Sequence, residues 1–246
     1  MATSINTNYG AAVALQSQNK TSQQLETTQN RISTGMKVSS AKDNGAIFAI
    51  ATSQRATAAS QDAVRAGLQR TQSITDVALA AGDTITSALE EMKSLAVNIA
   101  SSTGAAQTAY LADYNALGTE IGTAITGATF DGANSLTALG ANAAITAVNT
   151  GSITAANATT ANVDLAIAGV TTALATLGTQ SKSLGRQITF VNKLQDAMEA
   201  GVGNLVDADL AKESAKLTAL QTKQQLGVQA LSIANQGSSI LLSLFR

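Results

Sequence analysis

The sequence predicts a mainly α, elongated protein. Its N- and C-terminal segments pair as an antiparallel coiled-coil helical bundle, with a small β-hairpin region at the centre. Three observations predict this. Apolar residues alternate four- and three-residue spacing through Val163, Ile167, Val170, Leu174, Leu177, Ser181, Leu184, Ile188, Val191, Gln195, Met198, Val202 and Leu205, the seam of a helix lying along partner helices. At roughly 1.5 Å per residue that run alone is about 65 Å long, too long for the interior of a compact globule. The chain has no proline, so no helix is interrupted by one. Between Asp131 and Asp164 the heptads give way to an uncharged interval of Gly, Thr, Asn and Ala.

Taken in order, the first helix spans about Ile5 to Ser33, with its best stripe at Ala11, Leu15, Gln18, Ser22, Leu25, Gln29, Ile32 and Met36. Gly35 stops it. Ser40-Ala41-Lys42-Asp43 has the form of a capping box at the next helix start, so 34–43 is a linker. The second helix, about Asn44 to Ala100, carries a seam at Val64, Leu68, Thr71, Thr75, Ala78, Gly82, Ile85, Leu89, Met92, Ala96 and Ile99. Thr103-Gly104 breaks it, and a third helix follows with Tyr110, Tyr114, Leu117, Ile121 and Ala124 on one side. Phe130-Asp131-Gly132 is a tight-turn signal, and 144–148 with 152–154 reads as a hairpin around Asn149-Thr150-Gly151. In the C-terminal run, Gly178 and Gly185 sit one heptad apart. Each costs about 1 kcal/mol in a helix interior, consistent with either close backbone approach or simple tolerance.

Gly201 and Gly203 mark a second linker, 201–210, after which Asp209 caps the last helix, about Leu210 to Leu244. That helix has two apolar stripes. One runs Leu217, Leu220, Gln224, Gly227, Leu231, Ala234, Ser238 and Leu241; the other runs Leu226, Ala230, Ile233, Gly237, Ile240 and Leu244. The N-terminal helix can cover only one of them. The other implies burial against further copies of the chain or another protein. Both termini are expected to be mobile in the monomer and to order on association. The domain plan is therefore a terminal coiled-coil layer (1–33 and 211–246), two linkers, a helical rod (44–131 and 163–200) and a small hairpin region (132–162).

Composition narrows function. The formal net charge of −1 favours neither nucleic acid nor a membrane surface. There is no histidine and no cysteine, which removes the commonest general base, thiolate metal sites and any disulfide framework. No catalytic, cofactor-binding or metal-ligating set is expected, and the protein reads as no enzyme. With only 13% charged residues, the surface is weakly defended against association. No secretory signal is expected, Ala11 to Leu15 being the only apolar cluster near the N-terminus, and no stretch reads as a membrane span. Asp207 and Asp209 are two apart and do not share a helix face, so capping is favoured over metal ligation. Glu90-Glu91 reads as a solvated face. Tyr110 and Tyr114 read as packing residues. Lys212, Lys216 and Lys223 fit surface pairs with Asp209 and Glu213. Ser and Thr of the middle region are candidates for O-glycosylation.

At this point the chain resembles the bacterial flagellins. The resemblance rests on Ile5 to Asn8, on the run from Arg31 to Ala51, on Met92 to Val97, and on Thr129-Phe130-Asp131-Gly132. At the other end it rests on Asp207 to Glu213, Ala234-Asn235-Gln236 and Leu241 to Arg246. It implies a structural subunit that self-assembles into the flagellar filament for motility, with paired termini as the inner layer. The variable outer domain is nearly absent, replaced by 132–162. It further implies type III export without a cleaved signal peptide, an extracellular location, and an export chaperone on the C-terminal helix. Other implied partners are itself, sister flagellins, and hook-associated and cap proteins. The alternatives are a hook–filament junction protein, or a soluble α-helical pore-forming protein.

The residues expected to drive polymerisation are Leu15, Leu25, Ile32, Leu217, Leu220, Leu226, Leu231, Ile233, Ile240, Leu241 and Leu244, with Gly35, Gly201 and Gly203 as linker switches. The chain departs from the family where flagellins detected by the animal innate immune receptor carry an arginine at the place of Glu91 and a glutamate at that of Ser94. Charge reversal at a contact costs affinity, so poor receptor activation is expected. Gly237 stands where a proline is frequent, and Asn204-Leu205-Val206 replaces a Ser-Arg-Ile stretch.

Overall fold

A computed structural model describes residues 8–140, 142–149 and 151–244, of which 237–244 are described as backbone only. The described residues form helices α1 (Tyr9–Thr34), α2 (Gly45–Ser101), α3 (Gly104–Gly127), α4 (Thr137–Gly140), α5 (Ala143–Asn149), α6 (Thr160–Val206) and α7 (Leu210–Leu244). They divide into two compact units, with boundaries after Ala59 and after Gln195.

The unit of residues 60–195 is built on α2 and α6 running antiparallel. Lys93 pairs with Asp164 at 2.6 Å; Ser181 donates to Asp76 at 3.2 Å; Gln195 donates to Asp62 at 3.3 Å. The α2 seam buries Ala78, Ile85, Leu89, Met92, Ala96 and Ile99, and the α6 seam buries Val163, Val170, Leu177, Leu184 and Val191. Both were legible as heptads. Gly82 is buried because the Leu174 isobutyl group occupies the space a Cβ would need. Gly178 and Gly185 have nothing near that position, so close approach within the chain does not explain them. One member of each seam lies outside the core, Val64 in this unit and Leu205 in the other. α6 is also long and apolar enough to cross a membrane by length and composition, with an 18-residue window of mean hydropathy 1.3. This contradicts the sequence reading of no such stretch. Of that window 22% is buried, so the packing seam accounts for part of its hydropathy.

α3 lays Tyr114, Ile121 and Ile125 on this core, and Leu136, Leu139, Ile145 and Val148 close it. Here the expected hairpin region is corrected, for the described residues contain no strand. Phe130 and Ala133 do exchange two backbone hydrogen bonds, at 2.9 and 3.0 Å, around Asp131 (φ 50) and Gly132 (φ 74). That is the tight turn expected, but its flanks do not extend. Asn134 ends the pairing by donating to the Ile125 carbonyl at 2.6 Å and accepting from Leu136 N–H at 2.7 Å. Residues 144–148 are helical. Their apolar pair Ile145 and Val148 is spaced three apart, which suits one helix face, and the Asn142 carboxamide caps the turn by accepting from Ala144 N–H at 2.9 Å. The Val148 carbonyl presses against bare Gly118 of α3. Residues beyond Gly151 return along α3, where Asn115 bonds both backbone groups of Ile153, at 2.7 and 3.1 Å.

In the other unit α1 and α7 pack as an antiparallel pair. Asn8 donates to the Ala234 carbonyl at 2.7 Å at one end, and Arg31 pairs with Glu213 at 3.2 Å at the other. A small satellite core of Val38, Ala51, Val202 and Val206, flanked by Ile47 and Phe48, holds the linkers.

Candidate assembly surfaces

The terminal pair has a closed face and an open one. On α1 the inward positions are Ala11, Ala14, Gln18, Thr21, Leu25, Thr28 and Ile32; on α7 they are Glu213, Leu217, Leu220, Gln224, Gly227, Leu231 and Ala234. Both rows follow the alternating spacing of a coiled-coil seam. The α7 row is the first stripe read from sequence. The α1 stripe needs correction. Leu15 is 51% exposed, Ser22 and Gln29 are exposed, and Thr21 and Thr28 are buried in their place. The two phasings share Ala11, Gln18, Leu25 and Ile32. What decides between them is fit: alanine at 14 lets the helices approach, and Thr21 can bury its methyl while its hydroxyl bonds the Ser17 carbonyl at 2.9 Å.

This seam is unusually polar. Gln18 Oε1 and Thr28 Oγ1 are buried without a protein partner. Gln18 lies against Gly227, where any Cβ would collide with its amide oxygen. Glu213, with its side chain only 13% exposed, bonds Arg31 and lies 3.7 Å from Lys216. Polar positions in a coiled-coil seam specify register at a cost in stability.

The second α7 stripe is open. Leu226 is 59% and Ile233 70% exposed, with Ala230 exposed between them. Of the residues expected to drive assembly, the structure therefore puts Leu25, Ile32, Leu217, Leu220 and Leu231 in the closed seam. Leu15, Leu226 and Ile233 lie outside it. The side chains of Ile240, Leu241 and Leu244 lie outside the described residues. Sequence reasoning missed Tyr9, Val13, Leu210 and Val228, further large apolar side chains exposed on these helices. Their lack of heptad partners was the available signal.

The linkers also differ from expectation. α6 continues to Val206, so Gly201 and Gly203 are helical and the connection to α7 is only 207–209. Val202 and Val206 keep the helix intact by burying against the satellite core. Gly203 leaves room for the Asp207 carboxylate, whose oxygen lies 2.8 Å from an added Cβ. Gly35, in contrast, does end α1, at φ 69. The two connections pair through their backbones. Lys37 and Val38 N–H donate to the Val206 carbonyl at 2.6 and 3.2 Å, and Ala208 N–H donates to that of Gly35 at 2.9 Å.

The capping box of Ser40 and Asp43 is not formed as read. Asn44 is the cap of α2, accepting from Ile47 N–H at 3.1 Å. Asp43 instead closes its own loop, one carboxylate oxygen accepting from the N–H and hydroxyl of both Ser39 and Ser40 at 3.0–3.1 Å. These bonds, the Ser39 hydroxyl foremost, hold its carboxyl below the usual range. Asp209 caps α7 as expected, accepting from Lys212 N–H at 3.1 Å. Glu91 and Ser94 are exposed on α2.

Comparison with known proteins finds the bacterial flagellin N-terminal helical region over residues 5–139 and the bacterial flagellin C-terminal helical region over 160–245. Flagellin FljK of Caulobacter vibrioides is 51% identical, covering 99% of this chain and 98% of that protein. Flagellin FljM of the same organism is 50% identical over the same shares. A flagellin of Brucella melitensis is 34% identical, covering 99% of both proteins.

Proposed function

The chain belongs to the bacterial flagellin family, and from that premise we propose which of its surfaces build the polymer. The protein is a structural subunit of the flagellar filament, an extracellular assembly of copies of itself and of sister flagellins; the family is structural, not enzymatic. Within that assembly the α1–α7 seam sets the shape of each subunit's end. The open stripe of Leu226, Ala230 and Ile233 is what neighbouring subunits cover. The observation that carries this reading is the pair of apolar stripes on α7, one closed by α1 and one exposed over large side chains.

The same stripe suits an export chaperone before assembly, since a subunit carrying it uncovered needs shielding. Export through the flagellum's own type III apparatus without a cleaved signal, and contact with hook-associated and cap proteins, follow the family pattern. Exposed Glu91 and Ser94, in place of a basic and an acidic residue, leave the immune-receptor contact unmatched. A reporter assay with purified monomer should give a weak response.

The test of the assembly reading is seeded elongation. L226S with I233S should leave the helical content of the monomer unchanged, because both side chains are exposed, yet abolish growth from filament seeds followed by light scattering. Growth at the wild-type rate would overturn the reading.

A further inference from the structure

We propose that Asn44 is a site of spontaneous deamidation, so that an ageing subunit acquires a carboxylate at the N-terminus of α2. Asn44 is the only asparagine in the sequence followed by glycine, and glycine leaves the backbone nitrogen of the next residue open to approach the side chain. Both residues are exposed, and nothing lies within 4 Å of the place where a Gly45 Cβ would stand. Gly45 is the first residue of α2, and the N–H groups of a helix's first turn have no acceptor within the helix. The Asn44 carboxamide oxygen is meanwhile bonded to Ile47 N–H at 3.1 Å. That bond draws electron density from the carboxamide carbon.

The chemistry balances without any oxidant or cofactor. The Gly45 nitrogen gives up its proton and attacks the Asn44 carboxamide carbon. The carboxamide C–N bond breaks and ammonia leaves, closing a five-membered imide. Water then opens the imide at one of its two carbonyls. Opening at the backbone carbonyl leaves the polypeptide routed through the side chain as isoaspartate; opening at the other gives aspartate. The net change is the addition of water and the loss of ammonia.

The two products differ in consequence. Aspartate keeps a capping oxygen and adds a charge that the helix N-terminus favours, next to the carboxylate of Asp43. Isoaspartate lengthens the backbone and withdraws the cap, loosening the start of α2 beside the paired linkers. A subunit built into a filament outside the cell keeps whichever product forms.

The experiment ages the folded full-length protein at neutral pH and physiological temperature, then digests samples with trypsin. Cleavage after Lys42 and Arg55 releases residues 43–55 as one peptide, in which mass spectrometry with chromatography separates the asparagine, aspartate and isoaspartate forms. The acid forms should accumulate steadily in this peptide and much more slowly in the peptides 21–31, 187–193 and 194–212, which carry Asn30, Asn192 and Asn204. Gly45→Ala, which adds a methyl group into open space and retains the cap, should slow conversion several-fold while leaving the circular dichroism unchanged. A 43–55 peptide that stays amidated as long as the others, or a Gly45→Ala variant that converts at the parental rate, would overturn the assignment.

Discussion

Thr28 carries its hydroxyl into the α1–α7 seam with no protein group to receive it, so the site asks for the shape of valine rather than the polarity of threonine. Thr28→Val should stabilise the terminal pair by about 1 kcal/mol, read as slower amide exchange in α1. Tyr114 poses the same question in the larger core, where its hydroxyl is buried and unpartnered. Burial pushes its ionisation up to about 12. A raised value means that folding favours the protonated phenol, so the contribution is complete below pH 10 and is lost as pH rises toward that value. Tyr114→Phe, which removes an unpartnered buried hydroxyl, should stabilise modestly at physiological pH and by more in alkaline denaturant titrations. Asp43 has the opposite sign. Its contribution is present above the ordinary carboxylate value of 3.8 and is lost as pH falls through the lower folded one. The Ser39 and Ser40 amide resonances should accordingly titrate with a midpoint below 3.8. None of these details is legible in the sequence, because a buried threonine and an exposed one read alike in a polar stripe. Leu15 misleads for that reason: hydrophobicity alone selects it over Ala14, whereas close helix approach selects alanine.

Among the elements, the buried halves of α2 and α6 were legible from their seams, since Ile85, Leu89, Met92 and Ile99 and Val163, Val170, Leu177, Leu184 and Val191 leave few rival phasings. α5 was not. Five residues containing two β-branched apolar side chains carry too little period to separate strand from helix, and the deciding partner, bare Gly118, lies far away in sequence. The end of α6 misleads because two glycines suggest a linker, while burial of Val202 and Val206 keeps the helix going. The structure separates the glycines expected to act as switches. Gly201 is helical with open space around it, so Gly201→Ala should stabilise by about 0.5–1 kcal/mol in chemical denaturation. Gly35 holds φ 69 at the end of α1, and Gly35→Ala there should destabilise by about 1–2 kcal/mol.

On the scale of the whole molecule, the two units are stabilised very differently. The unit of 60–195 has a continuous core of large side chains. The terminal pair relies on Leu25, Ile32, Leu217, Leu220 and Leu231 amid Ala, Thr, Gln and Gly. Each buried leucine or isoleucine returns about 1.5–3 kcal/mol, against about 1–2 for every backbone residue fixed. Amides of α1 and α7 should thus exchange much faster in the monomer than those of 78–99, and slow sharply once subunits are polymerised. Equal protection in both states would contradict this. That the termini pair, and that α7 keeps a surplus face, could be read from two stripes on one helix. How they pair could not, because the register depends on Gln18 meeting Gly227 and on Arg31 meeting Glu213.

The backbone bonds that tie 35–38 to 206–208 have one more consequence. In a polymerised subunit, where neighbours hold the terminal pair, a protease that nicked the exposed loop at Ser39–Asp43 would sever the polypeptide without freeing α1, since the stump ending near Val38 stays bonded to Val206 and packed against α7. Damage at the most accessible point of this region would be silent until the subunit was unfolded, and a cut strand could go on bearing load.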